Sequence, residues 1–228
     1  MNIFIIGATS GIGNSLWRHY TSEGYNVAVF GRREELLQEM KSTCPDHTHT
    51  ECCDMSVAIQ LEAAIASARL CLHSIDIAIV CAGTGELNPN LDNAVEQTTI
   101  ATNIAGWTHA MTTLYHIFEQ QGYGHLVTVT SVGGLQPTPG APSYSASKAY
   151  QINYTKSLRR KAKGSGIVIT EIRPGLVGTR MAKGEGLFWV MPLSKVTRQI
   201  TKAISRKSEC AIITKRWRII NFLLRHFA

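Results

Sequence analysis

Asn2-Ile-Phe-Ile-Ile-Gly-Ala-Thr-Ser-Gly-Ile-Gly13 opens the chain and decides its fold. The apolar residues before Gly7 predict a buried parallel strand, and the periodic Ile12, Leu16 and Tyr20 predict a helix directly after the glycines. A strand, a glycine turn and a helix N-terminus together present unpaired backbone N–H groups and a positive dipole end to a phosphate. Glycine suits this turn because a Cβ would block the approach of a pyrophosphate. The stretch therefore predicts a nucleotide site, and a plain glycine-rich β–α turn is the alternative.

The rest of the 228 residues continues the same alternation of apolar runs and amphipathic stretches. This pattern predicts an α/β fold: a single doubly wound, Rossmann-like domain over residues 1–228, with a seven-stranded, mostly parallel sheet and helices on both faces. Strands are predicted near 2–6, 26–30, 48–53, 75–81, 125–130, 167–172 and 210–213. Helices are predicted near 12–23, 33–43, 57–70, 92–105, 107–121, 144–163 and 195–206.

The second predicted strand ends in Gly31-Arg-Arg-Glu34. In NAD-binding folds an acidic residue near this point accepts hydrogen bonds from the ribose hydroxyls. Here Arg32 and Arg33 follow a glycine, and a guanidinium group can hold the 2′-phosphate that a carboxylate would repel. The pattern favours NADP(H), with NAD(H) as the second choice. The alternative is that both arginines are solvated and pair with the glutamates that open the next helix.

Tyr144 and Lys148 stand four residues apart in a predicted helix, and Ser131 precedes them. Residues at this spacing share one helical face. We expect the Lys148 ammonium to lower the pKa of the Tyr144 phenol, because a neighbouring cation favours the phenolate. Such a tyrosine could act as a general acid or base near neutral pH. Taken alone the pair is weak evidence, since tyrosine and lysine often share a helix without any joint role.

These motifs, in this order, resemble those of the short-chain dehydrogenase/reductase family, and the resemblance runs nearly end to end. Gly7–Gly13 is similar to the family's glycine motif, and Cys81-Ala-Gly83 resembles its Asn-Ala-Gly motif, with cysteine in place of the asparagine. Asn103-Ile-Ala-Gly106 resembles the family's helix-breaking asparagine motif, and Pro174–Thr179 resembles the segment that embraces the nicotinamide. The resemblance implies that the coenzyme contacts Gly7, Thr9, Ser10, Gly11, Ile12, Gly13, Arg32, Arg33, Asp54, Met55, Cys81, Ala82, Gly83, Tyr144, Lys148, Pro174, Gly175, Val177 and Thr179.

The same resemblance implies an NADP(H)-dependent oxidoreductase that interconverts a carbonyl compound and its alcohol, with Asn103, Ser131, Tyr144 and Lys148 as the catalytic set. Tyr144 would be the general acid and base, Ser131 would polarise the carbonyl oxygen, and Lys148 would bond the nicotinamide ribose. Asn103 would hold a water that links Lys148 to solvent. The alternative function is a coenzyme-binding regulatory or scaffold protein without turnover, against which the intact set argues. Relatives of this family also lead us to expect a homodimer or homotetramer through helices 107–121 and 144–163.

The segment 176–194 is predicted to be a lid over the substrate. Its apolar residues, among them Phe188, Trp189 and Met191, favour a hydrophobic carbonyl or alcohol substrate, although core packing explains them equally well. Gly184 and Gly186 would let the segment move.

The chain carries 23 Lys and Arg against 16 Asp and Glu, a formal net charge of +7. Part of this charge lies in residues 215–227, which predict a basic amphipathic helix. Such a helix serves either for packing, as a lid or an oligomer seam, or for peripheral contact with an anionic membrane. We expect no nucleic-acid partner, since no basic groove is legible, and no metal site, because the cysteines and histidines fit no tetrahedral ligand pattern. The absence of a signal peptide or an apolar span predicts a cytoplasmic protein, with the inner membrane surface as the peripheral alternative.

Overall fold

The computed structural model of the protein describes residues 1–179, 189–214, 216, 217, 219 and 222. The described chain contains one sheet of seven strands: β1 (Asn2–Ile6), β2 (Asn26–Gly31), β3 (Thr48–Cys52), β4 (Ile77–Val80), β5 (Gly124–Val129), β6 (Ile167–Pro174) and β7 (Cys210–Ile213). The strands lie in the order β3-β2-β1-β4-β5-β6-β7, and every neighbouring pair is parallel. The predicted parallel sheet is confirmed, and its described strands include no antiparallel pair.

Seven α-helices connect these strands in the described chain: α1 (Gly11–Ser22), α2 (Glu34–Thr43), α3 (Ala58–Leu72), α4 (Asn93–Ile100), α5 (Trp107–Gln121), α6 (Pro142–Lys161) and α7 (Leu193–Ser205). The prediction of one regular helix over 92–105 is wrong in part. The α-helix ends at Ile100, and the backbone continues into α5 as a π-helical segment over Ala101–Gly106. Such wide turns inside α-helices are frequently found at functional sites, and this one carries Asn103.

Both faces of the sheet are apolar, which is why the strands lack a strict alternation of polar and apolar residues. On one face Phe4 and Ile6 of β1 belong to a core cluster that includes residues of α3 and α5. On the other face Ile3 and Ile5 belong to a cluster with residues of α1 and α7. The neighbouring side chains of β1 therefore serve opposite layers, and helices cover both faces as predicted.

The strand order places a crevice at the carboxyl ends of β1 and β4. The chain winds from β1 to β2 and β3 in one direction and resumes on the other side of β1 with β4. In parallel α/β sheets this reversal opens a crevice in which ligands bind. The glycine loop follows β1, and Cys81–Gly83 follow β4, so both predicted coenzyme motifs lie at this crevice.

Two predicted segments fall partly outside the described residues. Residues 180–188 of the predicted lid are not described, and neither is most of 215–227. Among the described residues, no helix has the length and apolar character needed to cross a bilayer.

Candidate active site

The glycine loop over Gly7–Gly13 is packed so closely that side chains on two of its glycines would collide with the backbone. Gly7 has a φ of +90°, and a Cβ built on it would lie 2.5 Å from the backbone nitrogen of Ala82. A Cβ on Gly13 would lie 2.2 Å from the carbonyl oxygen of Gly7. Helix α1 begins at Gly11, directly after the exposed Ser10, so its first N–H groups face the end of β1. The predicted loop residue Ile12 is half-buried against the α1–α7 side of the core.

Arg33 and Arg32 both point back toward this crevice. Arg33 donates from Nε and Nη2 to the Thr9 hydroxyl at 3.2 and 2.8 Å, which places its guanidinium group beside the glycine loop. The exposed Arg32 donates from Nη1 to Asp54 Oδ2 at 3.3 Å. Partial burial works to raise the pKa of Asp54, but hydrogen bonds from Ser56 and the charge of Arg32 outweigh it and hold that pKa below its ordinary value. The two arginines are therefore oriented by partners in the predicted coenzyme motifs.

Asn103 ties the loop after β4 to the π-helical segment. Its Nδ2 donates to the carbonyl oxygen of Thr84 at 2.7 Å, and its Oδ1 accepts from the N–H of Thr84 at 2.8 Å. The backbone N–H groups of Cys81 and Ala82 donate to the carbonyl oxygen of Ile6 on the neighbouring strand, at 2.9 and 2.8 Å. These contacts steady the end of β4, where cysteine replaces the family's asparagine.

Gly106 explains why the Asn103 segment ends in a glycine. A Cβ on Gly106 would lie 2.5 Å from the carbonyl oxygen of Met55, a buried residue that was predicted as a coenzyme contact. The close approach of the two backbones brings the loop after β3 against the π-helical segment. The predicted coenzyme contacts Asp54 and Met55 are therefore held next to the segment that carries Asn103.

Ser131 and Tyr144 are neighbours at the carboxyl end of β5. The Ser131 hydroxyl accepts from the N–H of Gly133 at 3.0 Å and is hydrogen-bonded to Tyr144. A Cβ on Gly133 would lie 3.3 Å from both Ser131 Oγ and a ring carbon of Tyr144. A Cβ on Gly85 would lie 2.6 Å from the same ring. Two glycines thus leave the space that brings the two hydroxyls together.

The predicted lowering of the Tyr144 pKa is wrong for this structure. Burial raises the pKa of the phenol above its ordinary value, and the hydrogen bond with Ser131 only partly offsets this. The Lys148 nitrogen lies 5.9 Å from the centre of the Tyr144 ring. The ammonium is therefore near the phenol, but the removal of water from the hydroxyl is the larger effect. With its pKa raised above the ordinary value, Tyr144 is a neutral proton donor at neutral pH.

Lys148 is buried at the back of the same crevice. The residue has 5% of its surface exposed, and its Nζ donates to Gln151 Oε1 at 2.9 Å and to the carbonyl oxygen of Val129 at 3.3 Å. A Cβ on Gly83 would lie 3.5 Å from this nitrogen, which places the lysine against the loop after β4. Burial lowers the pKa of Lys148 to about 8, and the nearby Cys81 acts in the opposite direction. The lysine therefore titrates close to physiological pH.

Gln151 is a site residue that the sequence reasoning missed. Its Nε2 donates to the main-chain carbonyl oxygen of Asn103 at 2.9 Å, while its Oε1 accepts from Lys148. The Gln151 amide therefore connects Lys148 directly to the main chain at Asn103, and the water that Asn103 was expected to hold between Lys148 and solvent stays a prediction. The helical spacing of Lys148 and Gln151 was a signal that they share a face, but nothing in the sequence paired Gln151 with Asn103.

Glu96 is a second residue without a sequence signal, and it fixes the start of α6. Its carboxylate accepts hydrogen bonds from the Ser143 hydroxyl and, at 2.7 Å, from the Asn88 amide. These bonds, from Ser143 first and Asn88 second, hold the pKa of Glu96 below its ordinary value. Because Ser143 precedes Tyr144, this contact anchors the helical turn that presents the tyrosine.

The segment after β6 reaches the glycine loop and closes the base of the predicted lid. A Cβ on Gly11 would lie 3.3 Å from the methyl group of Thr179. Met191 donates to the carbonyl oxygen of Leu176 and accepts from the N–H of Gly178, both at 3.0 Å, so the two ends of the lid segment are paired. The buried Val177, which forms a parallel bridge with Met191, lies in this same base.

Trp217 lies against Gly175 beneath this segment. A Cβ on Gly175 would meet the indole ring at 2.3 Å, and the N–H of Gly175 donates to the carbonyl oxygen of Ile213 on β7 at 3.0 Å. Trp217 has 7% of its surface exposed, whereas Ile219 and Phe222 have 64% and 55% exposed. The described part of the C-terminal segment therefore packs through its tryptophan and presents other apolar side chains outward. Other apolar residues of the helix predicted over 215–227, namely Ile220, Leu223, Leu224 and Phe227, lie outside the described residues.

The histidine and cysteine residues from Cys44 to Cys53 do not form a cluster of metal ligands. His49 pairs instead with Glu51 at 2.6 Å. Across the part of the chain that the structure describes, no three His, Cys, Asp or Glu side chains are grouped to hold a metal ion.

The chain is similar in sequence to known proteins. The sequence model of the short chain dehydrogenase family matches residues 1–187. The NADP-dependent 3-hydroxy acid dehydrogenase YdfG of Escherichia coli K12 is 30% identical over 181 residues, which are 78% of this chain and 73% of that protein.

Solved structures show the same fold. The serine dehydrogenase of Escherichia coli superposes with a TM-score of 0.83 at 24% identity, over 93% of this chain and 97% of that one. The closed form of serine dehydrogenase complexed with NADP+ gives a TM-score of 0.83 at 26% identity, over 89% of this chain and 88% of the other.

Proposed function

Because this chain belongs to the short-chain dehydrogenase family, we propose that it is an NADP(H)-dependent oxidoreductase that interconverts an alcohol and its carbonyl compound. The observation that carries the proposal is the meeting of Ser131, Tyr144 and Lys148 at the crevice that also holds the glycine loop. Gly83, next to Ala82, approaches Lys148, and Ala82 touches Gly7. The predicted phosphate-binding loop at Gly7 therefore lies close to the predicted catalytic residue Lys148, with only Ala82 and Gly83 between them.

The described residues fit a dinucleotide. The Gly7–Gly13 loop offers a surface without side chains and the N-terminus of α1, which favour a pyrophosphate. Arg33, held beside this loop by Thr9, supplies a planar pair of donors suited to a 2′-phosphate. The closed serine dehydrogenase relative is a complex with NADP+. These features favour NADP(H) over NAD(H) for this chain.

The reaction follows from the hydroxyl and ammonium groups of the site. When bound, the nicotinamide coenzyme supplies or accepts the hydride. In the reductive direction Ser131 donates a hydrogen bond to the carbonyl oxygen and stabilises the negative charge that develops there. Tyr144 gives its proton to that oxygen, and the Lys148 ammonium stabilises the resulting phenolate. In the oxidative direction Tyr144 accepts the proton of the alcohol.

The substrate class is proposed from the relatives and from the lid. YdfG acts on 3-hydroxy acids, and the structural relatives include serine dehydrogenases. We therefore place 3-hydroxy acids, with serine among them, first in the panel of substrates, and apolar ketones, aldehydes and alcohols second. The apolar Trp189 and Met191 at the lid base support the second group.

Two measurements test the function. Native mass spectrometry of gently purified protein is expected to show bound NADP(H) in preference to NAD(H). The absorbance of NADPH is then followed with the substrate panel in both directions. Turnover with at least one substrate is the expected result. Tight binding of NADPH without turnover of any panel member would favour the coenzyme-binding regulatory protein instead.

The proposal also covers the oligomeric state of the protein and its location in the cell. We propose a homodimer or homotetramer through α5 and α6 in the cytoplasm, and analytical ultracentrifugation gives the mass of the assembly. Peripheral membrane contact through residues 215–227 is supported by the outward Ile219 and Phe222 and by the neighbouring basic residues. Flotation with anionic vesicles, compared between the whole chain and a variant that ends at Thr214, tests it. Equal flotation of both proteins would contradict this role.

A further inference from the structure

Gln151 lies where the catalytic lysine meets the main chain of the π-helical segment. It is fully buried, with 0% of its surface exposed, and it lies one helical turn beyond Lys148 on α6. Its Oε1 accepts from Lys148 Nζ at 2.9 Å, and its Nε2 donates to the carbonyl oxygen of Asn103 at 2.9 Å. A single side chain thus connects the lysine to the segment that Asn103 pins to the loop after β4.

The chemistry of the three groups allows only one orientation of this amide. An ammonium group carries donors alone, and a main-chain carbonyl is an acceptor alone. The Gln151 oxygen must therefore face Lys148, and its nitrogen must face Asn103. Neither an apolar residue nor a carboxylate of the same length satisfies both neighbours, because the first offers no polar atom and the second offers only acceptors.

From this geometry we infer that Gln151 is a positioning residue for the reaction proposed above, and that it holds the Lys148 ammonium by a direct amide bridge to the main chain at Asn103. An amide accepts and donates hydrogen bonds but does not readily give up a proton. The bridge therefore orients Lys148 and stabilises its charge, and it does not relay protons to it. The inference rests on the proposed function for its catalytic meaning, but the bridge itself is independent of any ligand.

Few other groups influence the charge of Lys148. Cys81 faces it from the end of β4, where burial raises the pKa of that thiol to about 12 and its interaction with Lys148 favours the ammonium. Tyr144 faces it from α6 itself, and burial raises the pKa of its phenol as well. From β5 the carbonyl oxygen of Val129 contributes a longer hydrogen bond of 3.3 Å. Among these described neighbours, Gln151 is the closest acceptor that a substitution can remove.

The test compares Gln151→Met, Gln151→Glu and Thr155→Val with the unaltered protein. Thr155 is the matched control, because its buried hydroxyl donates at 2.7 Å to the carbonyl oxygen of Gln151 and no contact between its side chain and Lys148 is described. The first measurement is the pH dependence of kcat/KM. The second is the pH dependence with which Lys148 reacts with acetic anhydride, read by mass spectrometry of the labelled peptide. This second measurement needs neither coenzyme nor substrate.

The two Gln151 variants are expected to move in opposite directions. Loss of the acceptor in Gln151→Met disfavours the ammonium, so the titration of Lys148 and the alkaline limb of kcat/KM shift down by about one pH unit, which is tenfold in the protonation equilibrium. In Gln151→Glu the added carboxylate favours the ammonium, so both shift upward. Thr155→Val lowers the melting temperature without shifting either curve.

Failure of the Gln151 inference and failure of the proposed function give different results. Unchanged Lys148 titration in both Gln151 variants overturns the inference, whatever the activity. Absence of turnover in the unaltered protein, together with opposite shifts in the labelling curves, overturns the proposed function and leaves the amide bridge supported.

Discussion

Asn103 holds the backbone of Thr84 from both sides, with its amide nitrogen on the carbonyl oxygen at 2.7 Å and its amide oxygen on the N–H at 2.8 Å. This pairing resembles that of two strands, but a side chain supplies it where β4 has already ended. It fixes the loop that carries Gly83 against Lys148 and Gly85 against the Tyr144 ring. Asn103, which the family resemblance places in the catalytic set, therefore also supports the loop that shapes the crevice.

Replacement of Asn103 by alanine is expected to lower the free energy of unfolding by about 2–4 kcal/mol, because it removes hydrogen bonds from buried groups and leaves their partners unsatisfied. Urea denaturation measures this loss, and a fluorescence titration measures the accompanying decrease in NADPH affinity. The exposed Asn93→Ala on α4 is the control and should leave both quantities unchanged. An Asn103→Ala protein as stable as the unaltered one would contradict the scaffold role.

Replacement of Arg33 by glutamine is expected to weaken NADPH binding by roughly 10–100-fold, since a hydrogen bond to a charged group contributes about 1.5–3 kcal/mol. Binding of NADH should change little, because NADH lacks the 2′-phosphate. Calorimetric titration of both coenzymes gives the two dissociation constants. Arg18→Gln, which alters an exposed arginine of α1, is the control for net charge. Equal losses for NADPH and NADH would show that Arg33 supports the loop through Thr9 and does not select the phosphate.

His125 makes the stability of the fold depend on pH. Burial lowers the pKa of this imidazole, which is bonded to Thr170 at 2.8 Å, to about 4, and Lys207 adds to the effect. The unfolded chain binds the proton with the ordinary pKa near 6.5. Stability is therefore lost as the pH falls from about 6.5 to about 4, by on the order of 3 kcal/mol. Urea denaturation at several pH values measures it, and in His125→Gln this part of the slope should disappear. If the free energy of unfolding of the variant still falls between these pH values, groups other than His125 cause the pH dependence.

Much of the fold could be predicted because each strand and helix is marked by a pattern of apolar residues within its own short segment. The run before Gly7 and the periodic residues after Gly13 identify a strand and a helix without any knowledge of the rest of the chain. The order of glycine loop, Asn103, Ser131, Tyr144 and Lys148 then predicts one crevice, and the structure brings these residues together there.

What the sequence did not predict depends on contacts between distant segments. The pairing of Gln151 with Asn103, and that of Glu96 with Ser143, join residues that no local pattern relates. The raised pKa of Tyr144 has the same origin, because its burial depends on how Gly85 and Gly133 let other segments approach. The resemblance marked Asn103–Gly106 as helix-breaking, but nothing local predicted that the interruption is a π-helical turn over Ala101–Gly106.

The central claim is that Tyr144 transfers the proton of a hydride-transfer reaction. The direct measurement is single-turnover oxidation of NADPH by Tyr144→Phe, beside Tyr150→Phe, which removes a hydroxyl from the same helix that bonds only to Thr108 among the described contacts. We predict a loss of rate of about 10²–10⁴-fold or more in Tyr144→Phe with NADPH affinity nearly intact, and a nearly normal rate in Tyr150→Phe. Equal rates in Tyr144→Phe and the unaltered protein would contradict the account.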